Sequence, residues 1–161
     1  MNNRQLHAIA ARAFVAFQHE AYAQPTITLR GGNALDDCKS PPQYDPEFDR
    51  PTDAYIERFP WGIGYLDPES FRHYLPHLIE YALRHASVAN DVVDALLSNL
   101  RPPDREPPRL ASLSPEQEEV VVQFLDTLAF SEESVYEELA AQTLEEWWVP
   151  NALYRPGSND A

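Results

Sequence analysis

The chain of 161 residues contains one cysteine, Cys38, and one lysine, Lys39. A single cysteine closes no internal disulfide and supplies no Cys-rich zinc site, so a cytoplasmic location is expected. Asp36 and Asp37 beside it would raise a thiol pKa rather than lower it, which argues against a nucleophile there. Glycine is scarce as well, at five residues, and G-x-x-x-x-G-K, G-x-G-x-x-G and G-x-S-x-G are all missing. Nucleotide and acyl-transfer chemistries therefore lose their usual signatures. No apolar run is long enough to span a bilayer, and Arg12 interrupts the apolar stretch of residues 1–23, so neither a membrane segment nor a secretory signal is predicted. Basic residues are few: 12 Lys and Arg stand against 26 Asp and Glu, giving a net charge of −14. Such a chain is a poor match for nucleic acid, whose phosphates are neutralised by Lys and Arg. It is suited to a basic partner, or is kept soluble by self-repulsion.

Proline is abundant by contrast, with 15 residues. Because proline breaks helix interiors, Pro-free stretches mark where long helices lie, and there are three, at 1–24, 77–101 and 116–149. The first places Leu6, Ile9, Ala10, Ala13, Phe14, Phe17 and Ala21 at helical spacing, the pattern of a core helix. Residues 25–60 carry six prolines and the Gly31-Gly32 pair, and Thr26-Ile27-Thr28-Leu29 alternates like a short strand. An extended loop region with at most a small hairpin is expected there. Thr52 reads as the cap of a short helix ending before Pro60, and Asp67-Pro68-Glu69 as a stronger helix start. Pro76 is expected to kink that helix or to begin a new segment. A further helix from about Asp91 ends at Pro102, Ser114-Pro115-Glu116-Gln117 forms a capping box, and Ser131 with Ser134 opens a last helix terminated by Pro150. The expected fold is mainly α, a single-domain bundle of six or seven helices.

The acids concentrate at one end, where residues 112–161 hold eleven of them and only Arg155 as a base. The pairs Glu118-Glu119, Glu132-Glu133, Glu137-Glu138 and Glu145-Glu146 read as a solvated face, since adjacent helical residues point about 100° apart. Trp147 and Trp148 cannot both point along one core line of a regular helix, so a covering tail at 151–155 is expected. Just before these helices, Arg101, Arg105 and Arg109 lie among four prolines. This strip reads as a stiff connector whose arginines pair with the chain's own acids, or else as a presented binding strip for an acidic ligand. His73 and His77, with Glu80, have helical spacing for a metal, although Pro76 lies between them and no HExxH accompanies them.

The motif Phe71-Arg72-His73-Tyr74-Leu75-Pro76, the connector Arg101 to Leu110, Ser114-Pro115-Glu116-Gln117, and Leu144-Glu145-Glu146-Trp147-Trp148 together resemble a bacterial domain-of-unknown-function family. The resemblance runs from Ala54 to Arg155 and implies a small, mainly helical protein. It carries no catalytic or cofactor residues across.

The leading expectation is a non-catalytic protein-binding module, such as an immunity or regulatory protein for a basic partner. Its candidate contacts are Glu137, Glu138, Glu145, Glu146, Trp147, Trp148, Arg101, Arg105 and Arg109, and no cofactor is called for. The alternatives are a metal protein built on His73, His77 and Glu80, and a small-molecule sensor using Arg72 or Arg101 to hold an anion.

Overall fold

A computed structural model describes residues 2–105 and 107–157. Helix α5, Pro68–His85, occupies the middle, and its local chemistry explains its start. Asp67 accepts a hydrogen bond from the Ser70 amide at 3.0 Å, Pro68 needs no donor at the first position, and Arg84 and His85 sit at the negative end of the dipole. Its buried residues, Phe71, Tyr74, Leu75, Leu78, Ile79, Ala82 and Leu83 among them, fall on more than one side, as expected of a helix enclosed by neighbours. Pro76 neither ends it nor begins a second segment. The tertiary enclosure of both halves outweighs the roughly 3 kcal/mol that an interior proline costs.

Around α5 lie α1 (Asn3–Ala16), α2 (Gln18–Ala21), α3 (Leu29–Asp36), α4 (Asp53–Arg58), a 3₁₀ turn (Pro60–Tyr65), α6 (Asp91–Asn99), α7 (Pro108–Ala111), α8 (Pro115–Ala129), α9 (Glu137–Thr143) and a π turn (Leu144–Trp148). The fold is mainly α, a single domain with one continuous core, and no strand occurs among the described residues. Six of the described α-helices reach seven residues or more.

Three local expectations are corrected. The first Pro-free stretch breaks at Phe17, whose φ of −106° and ψ of 18° separate α1 from α2. The Thr26 to Leu29 segment is not a strand, because Thr28 is the N-cap of α3 and its hydroxyl accepts from the Gly31 amide at 2.8 Å. The last helix does not begin at Ser131 or Ser134: their hydroxyls accept from the amides of Glu133 and Tyr136 in a turn, and α9 starts at Glu137.

Glycines 32 and 62 explain why α3 exists where a loop was expected. A methyl group on Gly32 would overlap the Gly62 carbonyl oxygen, and one on Gly62 would overlap the Leu29 carbonyl oxygen. The backbones of α3 and the 3₁₀ turn are thus in direct contact, an approach that needs glycine on both sides.

The Pro-rich loop behind α3 is fixed by Asp49, which is 2% exposed. Its carboxylate accepts from Arg30 Nε at 2.9 Å and Nη2 at 2.7 Å, from the Tyr55 hydroxyl at 2.8 Å and from the Asp45 amide at 2.8 Å. Burial disfavours its charge, but these donors together hold its pKa below the ordinary carboxylate value.

Candidate functional site

The capping box at Ser114 positions the acidic end of the molecule. Ser114 Oγ accepts from the Gln117 amide at 3.2 Å, Gln117 Oε1 accepts from the Ser114 amide at 3.0 Å, and Gln117 Nε2 donates to the Ala16 carbonyl at 3.1 Å. One glutamine therefore starts α8 and closes the end of α1. From α8 the chain passes Phe130 and a turn, where the Val135 amide donates to the Ala86 carbonyl at 2.9 Å, and enters α9. Tyr136 locks this corner to the start of α6: its hydroxyl donates to the Asn90 carbonyl at 2.9 Å and accepts from the Asn90 amide at 2.6 Å.

The paired glutamates do not behave alike. Glu137, Glu138 and Glu145 are exposed, whereas Glu146 is buried and receives two hydrogen bonds from Arg101, Nε to Oε2 at 2.9 Å and Nη2 to Oε1 at 2.8 Å. Arg101 holds the Glu146 carboxyl below the usual range. Glu146 is thus removed from the solvated face, and this arginine pairs with the chain's own acid. Arg109 does something different: it donates to the Ile63 carbonyl at 2.8 Å and to Asn99 Oδ1 at 3.1 Å, with its guanidinium 5.3 Å from the Phe71 ring centroid. Arg105 is exposed. Replacing Arg101 by alanine leaves the Glu146 charge buried without its partner. It is expected to lower the folding free energy by about 2 kcal/mol, read as a drop in urea midpoint, with a smaller loss in an Arg101→Ala/Glu146→Gln double variant. Equal losses in the two variants would show that the pair is not coupled.

Trp147 and Trp148 are both buried. The π turn makes this possible, since the Val149 amide bonds back five residues to the Leu144 carbonyl and the wider turn alters the angle between neighbouring side chains. Trp148 Nε1 donates to the Leu100 carbonyl at 2.9 Å. The tail covers the same place: the amides of Leu153 and Tyr154 donate to the carbonyls of Glu145 and Glu146, and Arg155 lies 5.1 Å from the Trp147 ring centroid while bonding Glu118 at 2.7 Å. The tryptophans are core residues here rather than exposed anchors, which corrects their place among the candidate contacts.

His73 and His77 share a face of α5, with ring centroids 6.0 Å apart, and lie under α1 and α2. His73 Nδ1 donates to the Glu20 carbonyl at 2.7 Å, and the rings of Phe14 and His77 pack nearly perpendicular with centroids 4.9 Å apart. Burial and the neighbouring His73 push His77 down to about 4, against a pull from the Ala21 backbone. Glu80 does not complete a ligand set with them, and among the described residues no group of three or more His, Cys, Asp or Glu is placed to hold a metal ion. Arg72 is bound to Glu20 at 3.2 Å, so both guanidiniums expected to hold an anion in a sensor are engaged by carboxylates.

What the structure does expose is apolar surface next to the acids. Phe130 is 83% exposed, Val88 59% and Val135 57%. Beside Val88 and Val135 an open hollow of about 430 Å³ is lined by Ala89, Asp94, Val135, Tyr136, Glu138, Leu139 and Gln142. No base lines it.

The family model described as a family of unknown function, DUF6714, matches residues 5–152. The chain belongs to that family. No curated protein matches the chain at a significant level, and no solved structure does. The DUF6714 match begins at residue 5, well before the span from Ala54 that the motif resemblance indicated, so α1 to α3 are part of the shared domain. The hollow, the Arg101 and Glu146 pair and the histidines all fall inside it.

Sequence reasoning did not mark Val88, Phe130 and Val135. The available signal was negative: each is a large apolar residue outside every helical stripe, at a helix end or in a turn.

Proposed function

We propose that this DUF6714 chain is a non-catalytic protein-binding module that meets a basic partner with the face formed by α6, the α8 to α9 turn and α9, in the manner of an immunity or regulatory protein. The observation that carries this reading is the coincidence of exposed Val88, Phe130 and Val135 with carboxylates that the fold leaves unneutralised. Arg12, Arg30, Arg72, Arg84, Arg101 and Arg155 pair with Glu119, Asp49, Glu20, Asp53, Glu146 and Glu118, while Glu132, Glu137, Glu138 and Glu145 form no ion pair with a described residue. Apolar groups supply contact area and the surrounding carboxylates steer a positively charged partner.

The test leaves Glu146 intact, because it holds the fold. A triple variant Glu132→Gln/Glu137→Gln/Glu145→Gln is compared with the wild type in capture of basic proteins from the native cell lysate. The captured partner should bind the triple variant about tenfold more weakly, and be released by raised salt. Capture that is insensitive to both, or no partner at low salt, would overturn the reading.

A further inference from the structure

We propose that the hollow between α6 and α9 is a socket for an arginine side chain of the basic partner; this rests on the binding face described above and specifies how it is engaged. The lining divides in the way that an arginine divides. Ala89, Val135 and Leu139 offer carbon surface to an aliphatic stem, while Asp94 from α6 and Glu138 from α9 bring carboxylates from two helices to a planar guanidinium, with Gln142 as a further acceptor. Asp94 and Glu138 are exposed, so neither charge has been desolvated in advance. The donors in the lining are engaged: the Tyr136 hydroxyl bonds the Asn90 backbone and interacts with Asp94 beside it, and Gln142 Nε2 donates to Glu146 Oε1 at 3.0 Å. Nearby basic groups on α5 do not neutralise the site: Arg84 binds Asp53 through both terminal nitrogens at 2.8 and 2.7 Å, and His85 Nε2 lies 3.9 Å from the same carboxylate.

The occupant fits on three counts. It needs a positive head, a stem of several methylenes and entry from solvent, and the hollow is open, carboxylate-walled and about 430 Å³ in volume. An acidic or purely apolar segment would satisfy the floor or the walls but not both. The starts of α9 and α6 are joined by the Tyr136 to Asn90 bonds, and the Val135 to Ala86 bond ties the turn between α8 and α9 to the end of α5, so the socket is formed before the partner arrives.

The experiment titrates the full chain with the blocked tripeptide acetyl-Ala-Arg-Ala-amide and, in parallel, with its citrulline counterpart, which has the same shape without charge. Amide shifts in ¹H–¹⁵N spectra are expected at Ala89, Asp94, Val135 and Gln142 with the arginine peptide and not with citrulline. Asp94→Asn/Glu138→Gln should weaken the response about tenfold or more, and Val135→Lys, which plants a resident cation at the rim, should abolish it. Shifts spread over acids elsewhere, such as Asp36, Asp37 and Glu116, or a response unchanged in the Asn/Gln variant, would overturn the socket. If that occurs while the triple variant of the outer glutamates still loses its partner, the face stands and only the socket falls; if both fail, the whole reading falls.

Discussion

Gly62→Ala is expected to lower the folding free energy by roughly 3–5 kcal/mol. The atoms in its way are backbone: besides the Leu29 carbonyl oxygen, the Leu29 carbonyl carbon lies 2.9 Å and the Asn33 amide nitrogen 3.0 Å from where the Cβ would stand. None can turn aside as a side chain would, so α3 and the 3₁₀ turn must separate. Gly32→Ala meets the same contact from the other side, with Gly62 Cα at 2.9 Å, and should cost a similar amount. Two glycines serve as internal standards. At Gly31 the nearest atoms are Thr28 Oγ1 at 3.1 Å and Pro41 Cβ at 3.3 Å, which predicts a moderate loss. At Gly64 the nearest is Asn99 Oδ1 at 3.7 Å, ordinary contact, which predicts almost none. Urea midpoints of the four variants should rank in that order, and a Gly62→Ala protein as stable as Gly64→Ala would refute the close backbone approach.

Acid should weaken the fold in two stages, the first of them governed by histidine. Unfolded, His77 titrates near its ordinary 6.5; folded, it is held at about 4 by burial and by His73. Between these values the unfolded chain takes up a proton that the folded chain refuses, so stability is complete above about pH 6.5 and falls as pH drops towards 4. Integrated over that window the single group contributes about 3 kcal/mol. His73, also lowered chiefly by burial, acts in the same direction. The second stage belongs to carboxylates. Asp49 keeps a low pKa despite its burial because Arg30, the Asp45 amide and Tyr55 donate to it, Asp53 because of Arg84, and Glu146 because of Arg101. Their contributions are fully present above the ordinary carboxylate values and disappear only as pH falls through the depressed folded ones. Urea midpoints at pH 7, 5.5 and 4.5 should therefore decline, and the part of the fall already present at pH 5.5 belongs to the histidines. His77→Leu should flatten His77's part of that decline while leaving the more acidic one. A wild-type midpoint that holds constant from pH 7 to 4.5 would contradict the burial assigned to this ring.

The elements legible in the sequence are those whose cause is local. Asp67-Pro68 and Ser114-Pro115 announce α5 and α8 because an N-cap bonds an amide two or three residues away and needs nothing from the rest of the fold. Thr28 uses the same chemistry but was masked by the alternation around it, which suits a strand equally well. Glu145 and Glu146 are identical neighbours in the sequence. Only the π turn and Arg101, reaching Glu146 from 45 positions away, make one a solvent charge and the other a buried anchor. The tryptophans followed the same rule: the covering tail was expected from Asn151 to Arg155, but the burial of both rings depended on a turn type that periodicity does not encode. For the candidate face, the acidity of α9 was plain in the sequence. The hollow was not, because Asp94 and Glu138 come from two helices, 44 positions apart in the sequence, that only the packing brings together.

By itself the sequence determined that this DUF6714 chain is mainly helical, strongly acidic at its C-terminal end and without nucleotide-binding or acyl-transfer motifs, because composition, caps and helical spacing are written in residues close along the chain. The tertiary structure alone decided which charges are spent and which are free. Arg30, Arg72, Arg84, Arg101 and Arg155 each find a carboxylate at least 19 positions away, and what they leave over is the acid and apolar surface around Val135. Pairing at that range is set by how helices pack around α5, and no local pattern carries it.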